Sequence, residues 1–124
     1  MKPLKIKPKT GPEAQIQQRI VRMLRYKGWF VKETHGGIFQ SGFPDIYATH
    51  SNYGARWIEV KNPESYSFTA AQQEDFPKFQ ANGTEIWILV SDSEDEYQKL
   101  FYKNQDGEYE GNWYHYLSTM RSHR

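Results

Sequence analysis

Two short runs of residues on either side of a turn constrain the fold of this chain more than any other feature. The first run begins at Phe-Pro-Asp-Ile, residues 43–46, and the second is Trp-Ile-Glu-Val-Lys, residues 57–61. The segment between them, residues 50–54, is rich in turn formers. This arrangement predicts a β-hairpin whose loop is centred on Asn52.

Side chains in the second strand of this hairpin alternate between two faces. Trp57, Glu59 and Lys61 share one face. Ile58 and Val60 share the other face, and their apolar character predicts that it is buried.

A loop centred on Asn52 places Asp45 opposite Glu59 on the neighbouring strand. Directly opposed Cβ atoms lie about 5 Å apart, and two carboxylates that close repel each other unless a cation bridges them. Mg²⁺ binds oxygen ligands and retains several waters, so Asp45, Glu59 and the backbone carbonyl of Val60 would suffice. Lys61 would then point at the same site, where its ammonium could orient a water or neutralise charge on a phosphate.

A surface hairpin with an exposed Glu59–Lys61 pair explains the same residues without any chemistry. Glu-x-Lys alone and Pro-Asp alone are common in chains of this size. The two motifs in this order, at hairpin spacing and with apolar flanks, favour the metal site, which remains a hypothesis until its context is known.

The chain resembles the PD-(D/E)XK nuclease superfamily and, within it, the stand-alone VRR-NUC domains. The resemblance covers about residues 13 to 90 and depends on ordered landmarks. These are Glu13-Ala14-Gln15-Ile16-Gln17 at the start of a helix, Gly28 at its end, Gly42-Phe43-Pro44-Asp45, Glu59-Val60-Lys61, Thr69-Ala70-Ala71-Gln72, and Gly83 before a final apolar strand. Residues 92 to 124 match no pattern of the family.

The resemblance implies catalytic roles for Asp45, Glu59 and Lys61, with Glu13 from the first helix completing or tuning the metal site. It also implies a role for Gln72, because VRR-NUC domains are similar in carrying a Gln on the helix that follows the Glu-x-Lys strand.

Glu13 and Gln72 each have a structural alternative. Thr10 with Glu13, and Thr69 with Gln72, fit the capping box, in which the fourth residue hydrogen-bonds back to the start of its helix. Glu13 is also in line with the apolar stripe of its helix, which we expect to face the sheet. Both roles remain open for both residues.

Composition limits the remaining alternatives. The chain has 124 residues, enough for one domain, no cysteine, and a formal net charge of only +1, which is low for a nucleic-acid-binding protein. No apolar run is long enough to span a bilayer or to serve as a signal peptide, so we expect a cytoplasmic protein with no membrane partner. The small size is typical of phage or mobile-element enzymes, in which case the location would be the host cytoplasm.

Several residues outside the hairpin are candidates for DNA binding. Lys2, Lys5, Lys7 and Lys9 form a basic arm, and His35, Gly36 and Gly37 form a glycine-rich loop that could approach a phosphate. A solubilising tail and a simple turn explain the same residues equally well.

The order of elements predicts an α/β protein with a restriction-endonuclease-like core, a mixed and mainly four-stranded sheet flanked by helices. We expect a flexible arm over residues 1–10 and a single domain over 11–124, with a core at about 13–90 and a C-terminal extension at 92–124. The predicted elements are helix 12–27, strand 29–32, loop 34–43, strands 45–49 and 55–61, helix 69–82 kinked or split at Pro77, strand 85–90, a short helix at 93–102, a turn at Asp106-Gly107, and a strand or edge extension containing Tyr109, Trp113, Tyr114 and Tyr116.

The function that these expectations favour is Mg²⁺- or Mn²⁺-dependent endonucleolytic hydrolysis of DNA, selective for branched, flapped or junction structures. A homodimer that pairs through the C-terminal aromatic strand or the long apolar strand would reach two DNA strands. The alternatives are a nucleic-acid-binding module without catalysis and a nuclease that acts on RNA or on free ends.

Overall fold

A computed structural model describes residues 11–34 and 42–116 and contains one four-stranded sheet in the order β1-β2-β3-β4. Strands β1, β2 and β3 pair antiparallel, and β4 pairs parallel to β3. The elements are α1 (Gly11–Tyr26), β1 (Phe30–Glu33), β2 (Ile46–His50), β3 (Gly54–Val60), α2 (Ala70–Ala81), β4 (Ile86–Leu89), α3 (Glu94–Gln98) and a 3₁₀ turn (Lys99–Phe101). The predicted mixed sheet of four strands flanked by helices is confirmed.

The predicted hairpin is confirmed in its register. Ile46 lies opposite Ile58, and His50 lies opposite Gly54, so the turn is centred on Asn52. Gly54 closes the turn with a φ of 84°, in the left-handed region that glycine enters without steric strain.

Each face of the sheet supports its own apolar cluster. The face against α1 carries Ile46, Ala48, Ile58, Val60, Trp87 and Leu89, which pack with Ile16, Ile20, Val21 and Leu24 of the helix. The face against α2 carries Ile86 and Ile88, which pack with Phe68, Phe76 and Trp113. The two strand positions Glu59 and Lys61 alternate with Ile58 and Val60 and therefore point to the α2 face.

Helix α1 follows the helical spacing of its apolar residues. Ile16, Ile20 and Leu24 recur every fourth residue, so they form one stripe against the sheet and are all buried. Gly28 follows the helix with a φ of 94°, which lets the chain turn directly into β1.

Helix α2 is one continuous helix, so of the two outcomes predicted at Pro77 the split is wrong and the kink stays a prediction. Thr69 caps its first turn through a capping box with Gln72. Pro77 removes one backbone donor, but the adjacent Phe76 is fully buried and anchors the middle of the helix to the sheet.

Of the two structures predicted for the C-terminal aromatic run, the strand is wrong, while Asn112 of this segment does bind along the edge of β4. Tyr109 forms an isolated bridge to Lys103 across the turn at Gly107, and residues 113–116 are helical. The aromatic side chains here fill the α2-face cluster, with Trp113 buried in it. The helix predicted at residues 93–102 is confirmed as α3 and the 3₁₀ turn that follows it.

The outer edge of β4 is occupied by side chains of the C-terminal segment. Asn112 accepts from the Ile88 N–H at 2.6 Å and donates through Nδ2 to the Ile88 carbonyl at 3.2 Å. Its own N–H donates to the Ile86 carbonyl at 3.1 Å, and Glu96 accepts from the Val90 N–H at 2.8 Å. These contacts use the hydrogen-bonding groups with which an exposed edge strand would recruit a second chain.

Among the residues that the structure describes, no helix is both long enough and apolar enough to cross a membrane. The predicted basic arm at residues 1–10 lies outside the described residues.

Candidate active site

Asp45 and Glu59 meet at the end of the β2–β3 hairpin that is opposite its turn. The ladder pairs Ile46 with Ile58, and one step further along the same register brings Asp45 opposite Glu59. The Asp45 carboxylate accepts from the backbone N–H of Val60 at 2.8 Å. The hairpin register therefore places Asp45 and Glu59 at opposed positions, with the Asp45 carboxylate on the Val60 backbone. Their joint role as metal ligands stays a prediction. The role of the Val60 carbonyl stays a prediction.

The segment that carries Asp45 is held from two sides. Thr34, just after β1, donates its N–H to the Asp45 carbonyl at 2.8 Å and its hydroxyl to the Pro44 carbonyl at 2.8 Å. On the other side, Gly42 lies so close to the carboxylate of Asp75 on α2 that a Cβ atom would overlap it. These contacts hold the backbone on either side of Asp45 between β1 and α2.

Glu59 and Lys61 form a buried ion pair on the α2 face of the sheet. Glu59 is 1% exposed and Lys61 is 5% exposed. The Lys61 ammonium lies 3.0 Å from Glu59 Oε2. The alternative of an exposed Glu–Lys pair on a surface hairpin is therefore wrong, because α2 covers this face.

Gln72 of α2 connects the ion pair to the start of its helix. Its Nε2 donates to Glu59 Oε2 at 2.8 Å, and its Oε1 accepts from the Lys61 ammonium at 3.1 Å and from the Thr69 N–H at 3.1 Å. The two roles expected for Gln72 from sequence are thus compatible, because the same amide closes the capping box and contacts both charged groups.

Phe68 and Thr34 are residues of this site that sequence reasoning missed. The Lys61 ammonium lies 4.6 Å from the centre of the buried Phe68 ring, a distance at which a cation and a ring face attract each other. Phe68 precedes the capping residue Thr69, and an apolar residue at that position is a recognised signal for a helix start. Thr34 carries no comparable signal, since its role depends on the register of β1 with β2.

Glu13 lies in the first turn of α1, a helix whose buried residues pack on the face of the sheet opposite Glu59. One turn later, Gln17 donates to the Glu33 carboxylate at 3.0 Å, and Glu33 pairs with Ile46 at the end of β1. Glu13 therefore lies toward the end of the sheet that carries Asp45, while its helix packs on the other face. Its part in the site stays a prediction, and its predicted capping partner Thr10 is outside the described residues.

The donor set for a cation consists of carboxylates. Within residues 11–34 and 42–116, no group of three or more His, Asp or Glu side chains is placed to hold a metal ion. Asp45 and Glu59 supply two carboxylates at adjacent strand positions. Mg²⁺ needs only one or two protein carboxylates because it retains several waters, so these residues fit that ion.

The residues predicted to bind nucleic acid directly cannot be placed. They lie outside the described residues and stay predictions: Lys2, Lys5, Lys7, Lys9, His35, Gly36 and Gly37.

Comparison with known proteins supports the fold. No protein-family model matches the sequence, and no curated protein matches it significantly. A solved structure of a VRR_NUC domain is similar, with a TM-score of 0.57 and 19% sequence identity, covering 72% of this chain and 95% of that chain. The protein therefore has a VRR-NUC-like fold of the restriction-endonuclease type, as its landmarks predicted. At this identity the similarity establishes the fold alone.

Proposed function

We propose that this protein is a metal-dependent nuclease that hydrolyses phosphodiester bonds in DNA. The observation that carries the proposal is the buried Glu59–Lys61–Gln72 network beside Asp45, at the end of a VRR-NUC-like sheet. A purely structural hairpin has no need for two carboxylates and an ammonium at one strand end, because taking each charge out of water costs several kcal/mol.

Each residue of the network has a distinct part in the proposal. Asp45 and Glu59 would hold a Mg²⁺ or Mn²⁺ ion, with the Val60 carbonyl and Glu13 as further ligands. Lys61 would orient the attacking water or stabilise the charge that develops on the phosphate oxygens. Gln72 would keep the Lys61 ammonium and the Glu59 carboxylate in fixed positions, since its amide bonds to both.

The metal would supply a nucleophilic water at neutral pH and would polarise the phosphate. In the overall reaction, the water oxygen bonds to phosphorus, the bond to the leaving sugar oxygen breaks, and the proton of water ends on solvent or on the leaving oxygen. No covalent enzyme intermediate is required.

The small size of the domain is the basis for the proposed selectivity. A domain of this size has little surface with which to read a base sequence. We therefore expect selectivity for branched, flapped or junction DNA. A homodimer is expected to use a surface other than the β4 edge, because Asn112 and Glu96 occupy that edge.

The proposal is tested by cleavage of a labelled panel that contains duplex, single-stranded, flap, fork and four-way-junction DNA, with matched RNA. Each substrate is incubated with Mg²⁺, Mn²⁺ or EDTA. Cleavage that needs a metal and is lost on Lys61→Met substitution is the expected result. The matched control is Lys78→Met, because Lys78 lies on the exposed surface of α2 and pairs only with Glu74 among the described residues.

If only RNA or only free ends are cleaved, the proposed substrate class is wrong, but the proposed active site still stands. Binding without cleavage on every substrate, unchanged in Lys61→Met, would overturn the proposal in favour of a non-catalytic nucleic-acid-binding module. Size-exclusion chromatography at micromolar concentration tests the homodimer separately.

A further inference from the structure

Arg56 is a second buried cation on β3, and it lies on the opposite face of the sheet from Lys61. It is 2% exposed. Its Nε donates to the Leu100 carbonyl at 2.9 Å, and its Nη1 donates to the Tyr53 and Ala55 carbonyls at 3.0 and 2.9 Å. Backbone carbonyls thus hold one side of the guanidinium and leave its charge uncompensated.

The other side of the guanidinium lies against the Tyr109 side chain, whose hydrogen bond and charge act against the lowering of the Arg56 pKa by burial. Among the described residues, Arg56 Nη2 is buried without a hydrogen-bond partner, and no carboxylate forms an ion pair with Arg56. Burial lowers the pKa of Arg56, and the groups that oppose this effect are Tyr109 and Tyr97. A guanidinium stays charged in proteins, so this is a buried positive charge without a carboxylate partner.

Aromatic rings surround this charge. The guanidinium carbon lies 4.0 Å from the centre of the Tyr109 ring and 5.1 Å from that of Trp87. The rings of Trp29 and Phe101 lie at 5.7 and 5.9 Å. Ring faces attract a cation but accept no strong hydrogen bond, so the Nη2 group remains available to an acceptor.

A cavity of about 330 Å³ adjoins this cluster, lined by Ala55, Arg56, Trp57, Gly83, Thr84, Glu85, Trp87 and Tyr109. Its volume falls at the lower end of the range for small-molecule sites, about 300–1,000 Å³. The indole Nε1 of Trp87 is a second buried donor without a partner among the described residues. Two residues of one cavity wall thus carry unsatisfied N–H groups, and one of the two is charged.

We propose that this cavity binds an oxyanion of the phosphate class, with Arg56 and Trp87 as donors. Such a ligand carries acceptors, which the two N–H groups lack. It also carries the negative charge that the unpaired guanidinium lacks. A bridging water would satisfy both donors but would leave the charge uncompensated. The proposal is independent of hydrolysis at Asp45.

Tyr109 covers the proposed donors. Its ring stacks on the guanidinium, and both free N–H groups are shielded from solvent. Ligand binding would therefore require the Tyr109 ring to move off the guanidinium. The aromatic side chains of Trp87 and Tyr109 favour a phosphate that is carried on a flat ring, as in a mononucleotide.

The test follows the four indole N–H resonances of the ¹⁵N-labelled full chain by NMR. Inorganic phosphate, a 5′-mononucleotide and the matching nucleoside are titrated in EDTA at constant ionic strength. We expect a saturable shift of the Trp87 resonance with phosphate or the mononucleotide and none with the nucleoside. Saturation by phosphate alone would identify a free anion as the ligand, and tighter saturation by the mononucleotide would identify a nucleotide.

Trp113 serves as the internal control in the same spectrum. It belongs to the cluster on the α2 face and donates to Gln80, so its resonance should remain unshifted. Trp29 is not a control, because its ring lies 5.7 Å from the guanidinium carbon. Equal shifts at all indoles, or a non-saturating Trp87 shift, would mean a non-specific ionic effect. Either result would overturn the proposal. A Trp87 resonance that does not shift with phosphate or the mononucleotide would overturn it as well.

Two variants give opposite predictions. Arg56→Lys keeps the positive charge but lacks the Nη2 donor, and it should weaken the saturable binding at least about tenfold.

Glu85→Gln removes a negative charge from the cavity wall and keeps an acceptor for the Gly111 N–H, which Glu85 now binds at 2.8 Å. It should tighten binding, and because it leaves Arg56 in place it tests the proposal even where Arg56→Lys fails to fold. Unchanged binding in Glu85→Gln, or unchanged binding in a folded Arg56→Lys protein, would contradict the assignment.

Discussion

Arg56 on β3 and Lys61, directly after β3, are two buried cations with different surroundings. Lys61 lies on the α2 face, where a carboxylate, an amide oxygen and a ring face contact its ammonium. Arg56 lies on the α1 face, where backbone carbonyls and the side chain of Tyr109 contact its guanidinium and no carboxylate forms an ion pair with it among the described residues. The two positions are five residues apart, or about 17 Å along a strand.

This difference separates two uses of a buried charge. The Lys61 charge is neutralised within the protein, so its energetic cost is offset and its position is fixed, as a catalytic group requires. The Arg56 charge is held in place but not neutralised, which is what a binding site for an anion requires. The comparison can be tested by removing partners from one cation and by removing the other cation itself.

The largest stability effect is expected from Glu59→Gln. This change leaves the Lys61 ammonium buried without its carboxylate, and breaking a buried ion pair in this way costs about 3–5 kcal/mol. The free energy of unfolding, measured by urea denaturation, checks it. The control is Glu74→Gln, whose exposed pair with Lys78 should contribute less than about 1 kcal/mol. Equal effects of the two changes would remove the distinction between buried and surface pairs.

A smaller effect is expected from Arg56→Met. Three backbone carbonyls lose their donor, which costs about 2 kcal/mol or more, but the unpaired charge is also removed. Urea denaturation should show a loss smaller than that of Glu59→Gln. A larger loss would mean that the Arg56 charge is neutralised within the fold, and the contrast between the two cations would fail.

A loss of about 1–2 kcal/mol is expected from Gln72→Ala, because the change removes both a cap and two bonds to the ion pair. Gln73→Ala is the matched control, since Gln73 is the next residue on α2 and its side chain contacts only the Phe68 carbonyl among the described residues. Thermal unfolding of both proteins checks the difference. If Gln72→Ala reduces cleavage but not stability, its amide acts on the site alone.

The smallest effect concerns Lys99, a third and partly buried cation. Burial acts to lower the pKa of Lys99, but hydrogen bonds to Glu96 and Tyr116 outweigh it and raise the pKa above its ordinary value. A raised pKa stabilises the fold at neutral pH, and this contribution is lost as pH rises through the folded-state pKa, above about pH 10.4. Lys99→Met should therefore lower the free energy of unfolding by about 1 kcal/mol or less at pH 8. The difference from the unsubstituted protein should shrink above about pH 11, and a difference independent of pH would contradict this assignment.

Much of the fold and of the central site could be predicted from local patterns. Alternation of side chains and a turn centred on Asn52 fix the hairpin register, and that register places Asp45 opposite Glu59. Helical spacing in α1 and the capping box at Thr69 fix the two main helices. These features could be predicted because each depends on residues close together in the chain.

The features that sequence reasoning missed depend on contacts between distant segments. Arg56 is a charged residue on a strand and gives no signal that it is buried, since its partner Leu100 is 44 residues away. The edge contact of Asn112 with Ile88 spans 24 residues and replaces the strand that the aromatic run suggested. Phe76, buried against the sheet, likewise decides that α2 continues through Pro77.

The single-turnover rate of cleavage of flap DNA by the Asp45→Asn protein in Mg²⁺ tests the central claim most directly. Asparagine keeps an acceptor for the Val60 N–H, so the fold should be retained while the carboxylate charge is lost. The proposed site predicts that the rate falls at least about 100-fold relative to the unsubstituted protein. Asp106→Asn, in an exposed turn, should leave the rate unchanged. A rate for Asp45→Asn equal to that of Asp106→Asn would contradict the assignment of this hairpin as the active site.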